Sequence, residues 1–407
     1  MIPFLQGLFL YTVPFLFVLT VVVTIHELGH FLVARWCKVK IDRFSVGFGR
    51  AILSRTDKTG VEWRLGWIPL GGYVKFAGDG DISSSVPDEG DLDALRRAII
   101  AQDGPGSERT YFHFKPLWQR AAVILAGPVA NFLLSIVLFA VLMMAVGETV
   151  LAPRIGSVVP NTPAARAGFQ PGDMILSADG RAIGDFRELT QYNALRAGEA
   201  IRFVVLRQGN SLPITATPER RMVTDNLSHS AHRIGLLGLG SSLDPRDVSH
   251  HRFGPVEALT GGVARTWDVL DTTLFYMGRV FKGHESGDQL GGFIGIAQTS
   301  GQVAQAGAAG APDLAGKILG SITALTGLIA VISVGIGFLN LLPVPVLDGG
   351  HLLFYAYEAA ARRPLGAKVQ AAGYRLGLAM LLALMLFAAW NDLQKLSVFK
   401  ILGGHFS

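Results

Sequence analysis

A single cysteine, Cys37, in 407 residues excludes an internal disulfide and any cysteine-rich metal site. Charge is scarce too. Only 16% of residues are Asp, Glu, Lys or Arg against 50% hydrophobic, and the mean hydropathy is +0.39. That is too apolar for an ordinary soluble enzyme of this size. The net charge of +5 forms no basic run or stripe and has no aromatic–basic module beside it, so no nucleic acid partner is expected. No Lys or Arg precedes Arg35, so the positive region of a cleavable signal peptide is missing. No internal repeat suggests a transporter.

Long apolar runs are what the chain has instead. Residues 2–25, 121–146 and 318–342 are each long enough to cross a bilayer. A fourth run, 376–390, is short of the usual length and also fits an interfacial or buried helix. Basic residues from Arg35 to Lys75 gather after the first run. Arg362, Arg363, Lys368 and Arg375 gather before the fourth. The positive-inside rule puts both loops in the cytoplasm, with both termini and the middle region outside.

The first run ends in His26-Glu27-Leu28-Gly29-His30. Histidines four apart share one face of a helix, so both can reach one zinc ion. Glu27 between them is placed to deprotonate a zinc-bound water. Such a pattern also occurs on plain solvated helices, but ionisable groups beside hydrocarbon are costly and rarely kept without a use. A catalytic zinc site takes three protein ligands. The third run ends in Asn340-Leu341-Leu342-Pro343-Val344-Pro345-Val346-Leu347-Asp348-Gly349-Gly350 on the same side. Asp348 can complete the set. The prolines break the helix, and Gly349 and Gly350 permit a tight turn that brings Asp348 inward. Read alone, the segment also fits an ordinary surface turn.

Together HELGH, the GPVAN of residues 127–131 and NLLPVPVLDGG resemble the site-2 protease family of intramembrane zinc metalloproteases, nearest its bacterial RseP-like branch. The resemblance implies Zn2+ on His26, His30 and Asp348, with Glu27 as general base. Asn340, Pro343 and Pro345 would shape a substrate cleft, and Asn131 would pack polar groups near the site. It also implies single-span membrane protein substrates, such as anti-sigma factors or remnant signal peptides, already cut outside by another protease. The membrane would be the bacterial inner membrane, and the role a stress response. The competing reading is an inactive zinc-containing membrane adaptor with a peptide-binding domain, which the presence of Glu27 disfavours.

Residues 41–55 and 61–76 alternate as strands and suggest a β-hairpin at the cytoplasmic bilayer face. An open strand edge there could pair with an unwinding substrate, and the resemblance extends this to Gly71, Gly72 and Tyr73. A small sheet that only anchors the loop is the alternative. Residues 78–106 read as a flexible acidic excursion with one short helix and no calcium-binding spacing. From about residue 152 to 217 a β-rich pattern with the run Ala164-Ala165-Arg166-Ala167-Gly168-Phe169-Gln170-Pro171-Gly172-Asp173 resembles a bacterial PDZ domain, single here, binding a peptide edge or acting as a passive filter. His229, His232, His250 and His251 follow no ligand spacing and read as a solvated loop.

The expected fold is therefore a polytopic α-helical membrane protein with about four transmembrane helices, a membrane-associated β-hairpin or sheet and an extracytoplasmic β-rich PDZ domain. The segments run 1–35 (first helix), 36–118 (hairpin and acidic loop), 119–147 (second helix) and 148–221 (PDZ). Then come 222–317 (linker with an amphipathic helix), 318–350 (third helix), 351–375 (cytoplasmic loop) and 376–407 (fourth helix and tail). Membrane lipid is the remaining expected partner.

Overall fold

In the computed structural model, residues 2–78, 89–224, 231–283 and 292–395 are described. The chain opens with helix α1 (Ile2–Trp36), strands β1 (Ile41–Thr56) and β2 (Glu62–Phe76), and helices α2 (Glu89–Asp103) and α3 (Leu117–Ala145). A β-rich stretch follows: β3 (Glu148–Leu151), β4 (Ile155–Val158), α4 (Pro163–Ala167), β5 (Met174–Ala178), β6 (Arg181–Ala182) and α5 (Phe186–Ala194). It continues with β7 (Ile201–Arg207), β8 (Asn210–Ala216), β9 (Glu219–Thr224), β10 (Ala231–Leu236), β11 (Leu239–Ser241) and β12 (Val248–His251). Five helices complete the order: α6 (Pro255–Phe281), α7 (Phe293–Ala308), α8 (Leu314–Asn340), α9 (Asp348–Ala361) and α10 (Ala367–Lys395).

Among the described residues, four helices are long and apolar enough to cross a membrane: Phe9–Trp36, Leu117–Ala145, Leu314–Asn340 and Ala367–Leu393. Their outward side chains, including Phe9, Leu133, Val137, Leu319 and Leu386, are large, apolar and exposed, as lipid contact requires. Polar residues turn inward: Asn131, Ser135 and Ser333 are fully buried. Helices in lipid gain no hydrophobic drive toward one another, so small residues set their contacts. A Cβ on Gly29 of α1 would stand 2.7 Å from Ala130 Cβ of α3, which only glycine permits. Gly307 of α7 and Gly320 of α8 approach as closely. Val18 and Val22 of α1 pack with Leu325 and Ile329 of α8.

The fourth span is longer than its apolar run suggested. Helix α10 begins at Ala367 and takes Lys368 and Arg375 into its first turns, where charged ends can stay wet. The expected loop at 351–375 is mostly helical, shared between the end of α9 and the start of α10, and α9 is tied to α3 by Arg120–Glu358 at 2.5 Å and by Arg120 over the Tyr355 ring.

Strands β1 and β2 form the expected hairpin, but folded over. Residues Arg43–Val46 pair with Glu62–Leu65 and also with the segment 72–75. The order across is 72–76, 41–46, 62–65, 53–56, which leaves 72–76 at an edge. Gly47, Gly49 and Gly71 have φ of 82°, 83° and 125°, conformations that side-chain-bearing residues avoid, and they let the strands bend. Of the acidic excursion, residues 79–88 lie outside the described residues. The remainder is not loose. Helix α2 is longer than expected, its Ile99 packs with Ala77 and Tyr111, and Asp103 accepts from Lys40 Nζ at 2.5 Å and Tyr111 Oη at 2.7 Å.

The second compact unit covers Val141–Ala258 with Gly278–Gln289. Its main sheet runs β6-β5-β7-β8 over a core of Ile155, Phe169, Ile175, Leu189, Ile201 and Phe203. Asp179 and Gly180 both have positive φ, the two-residue turn that suits a hairpin's twist. Gly168 caps α4 in the left-handed region, and Asp173, 1% exposed, pairs with Arg207 at 2.7 Å. The boundary expected at 221 does not hold. Strand β11 pairs with β4 and β12 pairs with β3, so strands from the supposed linker complete the unit. Composition shifts there, but backbone pairing does not depend on composition. His250 meets Thr149 and His251 meets Glu257, whereas His229 lies outside the described residues.

Candidate metal centre

The HELGH segment continues α1 past the apolar run without a break, so His26 and His30 share one helical face. That face meets α3 at Gly127. A Cβ there would overlap His30 Nε2 and stand 2.8 Å from His26 Cε1, so the missing side chain makes room for the imidazoles. Pro128 next to it has no N–H for the Ile124 carbonyl, which loosens this turn of α3. One residue earlier, the Val123 carbonyl accepts the Nδ1–H of His30 at 2.8 Å. That contact fixes the tautomer and leaves Nε2 with a free lone pair. His26 Nδ1 faces the amide of Asn131 at 3.3 Å.

Asp348 arrives from the other end of the chain. Helix α8 stops at Asn340, and residues 341–347 turn through Val344 N–H to the Leu342 carbonyl and Leu347 N–H to the Val344 carbonyl. Asp348 is the first residue of α9. Gly349 and Gly350 do not make the tight turn expected of them; both are helical. Their role is close approach, because a Cβ on either would run into the backbone of residues 341–345. Pro345 lies against α10 at Gly373 and Gly377, where a Cβ on Gly377 would stand 3.1 Å from Pro345 Cδ. Pro343 is exposed and Asn340 half-buried.

The donor atoms converge. His26 Nε2 and His30 Nε2 are 3.1 Å apart, and Asp348 Oδ2 lies 3.1 Å from the first and 3.6 Å from the second. Ligands of one tetrahedral zinc stand about 3.3 Å apart, so this triangle has the right size. Asp348 Oδ2 is buried without a hydrogen-bond partner, the condition of an atom made for a metal. The donor set fits zinc, and these are the one group of three such side chains able to hold a metal among the described residues.

Glu27 projects toward the sheet. Its Oε2 accepts the Val74 N–H at 3.2 Å, and its Cγ lies 3.7 Å from where a Gly72 Cβ would be. Gly71 packs on Val23 of α1, and Tyr73 receives Arg43 at 3.3 Å and stacks on Phe48. The structure thus brings Gly71, Gly72 and Tyr73 beside the turn of α1 that carries Glu27. The Val123 carbonyl, the Val74 N–H and the space at Gly127 were not foreseen. The first two are main-chain groups and leave no mark in a sequence, whereas a glycine inside an apolar span was a usable signal.

Comparison with known proteins agrees with this chemistry. The family model described as "Peptidase family M50" matches residues 14–384. Metalloprotease MmpA of Caulobacter vibrioides is 49% identical over 98% of this chain and 100% of its own length. Proteins named as zinc metalloproteases in Agrobacterium fabrum and Rickettsia conorii are 41% and 30% identical. They align over 97% and 94% of this chain and 97% and 98% of their own lengths.

Proposed function

For a chain that belongs to peptidase family M50, and is a multi-pass zinc-dependent metalloprotease, we propose that it cuts single-span membrane proteins within the bilayer. The observation that carries this is the placement of the metal donors on one of the apolar helices, α1, and at the start of α9, beside an extended strand edge. A helical peptide bond is shielded by its own hydrogen bonds, so a substrate must unwind before it is cut. Residues 72–76 offer the main-chain partners for such an unwound segment. Asn340, Pro343 and Pro345 would bound the cleft.

His26, His30 and Asp348 would hold the zinc, which when bound polarises a carbonyl and lowers the pKa of a water. Glu27 would take the water proton on Oε1, since Oε2 already accepts from Val74, and pass it to the leaving nitrogen. The substrates would be proteins of the anti-sigma-factor or remnant-signal-peptide kind, trimmed outside by an earlier protease. The β-rich unit would be a PDZ domain that filters them. In a bacterial inner membrane the basic segments would face the cytoplasm and the β-rich unit the periplasm.

Purified protein should cleave a single-span substrate and stop when zinc is chelated. Glu27→Gln should keep its zinc and lose activity by at least about 100-fold, the usual contribution of a general base. Residual activity within tenfold of wild type, or loss of zinc from this variant, would reject the assigned role.

A further inference from the structure

The two metal-facing histidines are held differently. His30 is anchored by a main-chain carbonyl, Val123, which no substitution removes. His26 is anchored by a side chain, Asn131, on the neighbouring span. Asn131 is fully buried, and its own carbonyl accepts Ser333 Oγ of α8 at 2.9 Å, so the residue is fixed between two helices. Its amide lies 3.3 Å from His26 Nδ1, and Oδ1 has no hydrogen-bond partner.

For His26 Nε2 to offer a lone pair to zinc, the ring proton must sit on Nδ1. A buried Nδ1–H needs an acceptor, and the group facing it is the Asn131 amide. With Nδ2 toward the ring, Oδ1 is stranded; a half-turn of the amide brings Oδ1 onto Nδ1. We infer that Asn131 is a positioning residue for the metal centre: its Oδ1 accepts from His26 Nδ1–H and holds the imidazole in the tautomer and orientation that binds zinc. This rests on the reading of His26 as a zinc ligand. Asn131 touches no substrate, and its effect passes through His26.

The chemistry predicts an order among substitutions. Asn131→Asp keeps an acceptor in place and restores the carboxylate–histidine–zinc arrangement common in metal sites. Asn131→Leu keeps the shape and removes the acceptor. Outer partners of this kind change metal affinity about 10–100-fold.

The experiment uses the full-length protein in detergent and measures zinc affinity by competition with a chromophoric chelator. Expected is near-wild-type affinity for Asn131→Asp and a loss of about 10–100-fold for Asn131→Leu. Should the Leu variant not elute as wild type on size exclusion, Asn131→Ala replaces it, with the same loss expected. Should the Asp variant fail in the same way, Asn131→Ser, a smaller acceptor, must bind zinc more tightly than the apolar variant. Affinity of the apolar variant within threefold of wild type overturns the proposal. So does an acceptor variant as weak as the apolar one, because an amide acting as donor would give that result. His26→Ala is the control for the underlying reading. If it binds zinc as wild type does, His26 is not a ligand. If it loses zinc while the Asn131 variants do not, the Asn131 role alone fails.

Discussion

The absence of a side chain at Gly127 is what makes room for both imidazoles at the metal centre, and Gly127→Ala tests it. The added methyl would overlap His30 Nε2 and lie 2.8 Å from His26 Cε1. Non-bonded carbons rest about 3.5 Å apart, so the rings or α3 must withdraw by about 0.7 Å or more. The rings have little freedom, since Val123 holds one and Asn131 faces the other. Helix α3 is held against α1 by the Gly29 contact. Metal sites tolerate ligand displacements of about 0.2 Å, and misplacing a reacting group by about 1 Å costs on the order of 100-fold in rate. The overpacking itself should cost about 1–3 kcal/mol, too little to unfold most proteins. Gly127→Ala should therefore be made and inserted normally, yet bind zinc at least about tenfold more weakly and cleave at least about 100-fold more slowly. Zinc content after dialysis and cleavage of a single-span substrate give the two readings. Gly335→Ala is the matched control, because a Cβ there meets nothing within 4 Å, and it should behave as wild type. A Gly127→Ala protein with wild-type zinc content and activity within threefold would refute the packing argument.

Three further outcomes are expected. Leu151 and Val248 are paired across β3 and β12, so joining them through a two-residue turn should remove residues 152–247 cleanly. The shortened protein should still bind zinc and cut pre-trimmed substrate while also accepting untrimmed substrate; loss of cleavage with zinc retained would mean the unit is a required docking site. Introduced cysteines report orientation, because Cys37 is buried and adds little background. A membrane-impermeant reagent should label position 210 in intact cells, and positions 58 and 363 only after permeabilisation. The reverse pattern would overturn the orientation. Finally, burial opposes ionisation of Asp173, but the hydrogen bonds it accepts from Arg207 and the Gln170 N–H, with the Arg207 charge, together outweigh that and hold its pKa below the ordinary value. A depressed carboxylate stabilises the fold above its unfolded pKa and loses that contribution as pH falls through the folded one. The β-rich unit should thus melt lower as pH drops below about 4, and Asp173→Asn should flatten this dependence. A pH profile unchanged by the substitution would show that the pair is not its source.

The helix spans, the hairpin and the shared face of His26 and His30 could be read in advance because each follows from a short-range rule, and Asp348 could be added because its apolar run ends on the same side of the membrane as theirs. Apolar length marks a span, a spacing of four marks a helical face, and paired prolines mark the end of α8. Where the reading failed, the determinant was long-range. Strands β11 and β12 belong with β4 and β3 through pairing across about 80–100 residues, which no local pattern encodes. Gly349 and Gly350 signalled a turn by residue type, whereas the backbone of 341–345 pressing on α9 decided their role. Asn131 was read as a polar group near the site, but its relation to His26 needs the crossing of α1 and α3.

Glu27 is fastened through Val74 to the same edge proposed to receive the substrate, so the base and the bond it attacks share one reference frame. Successive carbonyls of an extended chain point to opposite sides. A substrate seated on residues 72–76 therefore offers only alternate peptide bonds to Glu27, and a slip by one residue turns every carbonyl away. Under that reading, a misaligned substrate yields secondary cuts two residues from the main one, and single-residue ladders are absent from its products.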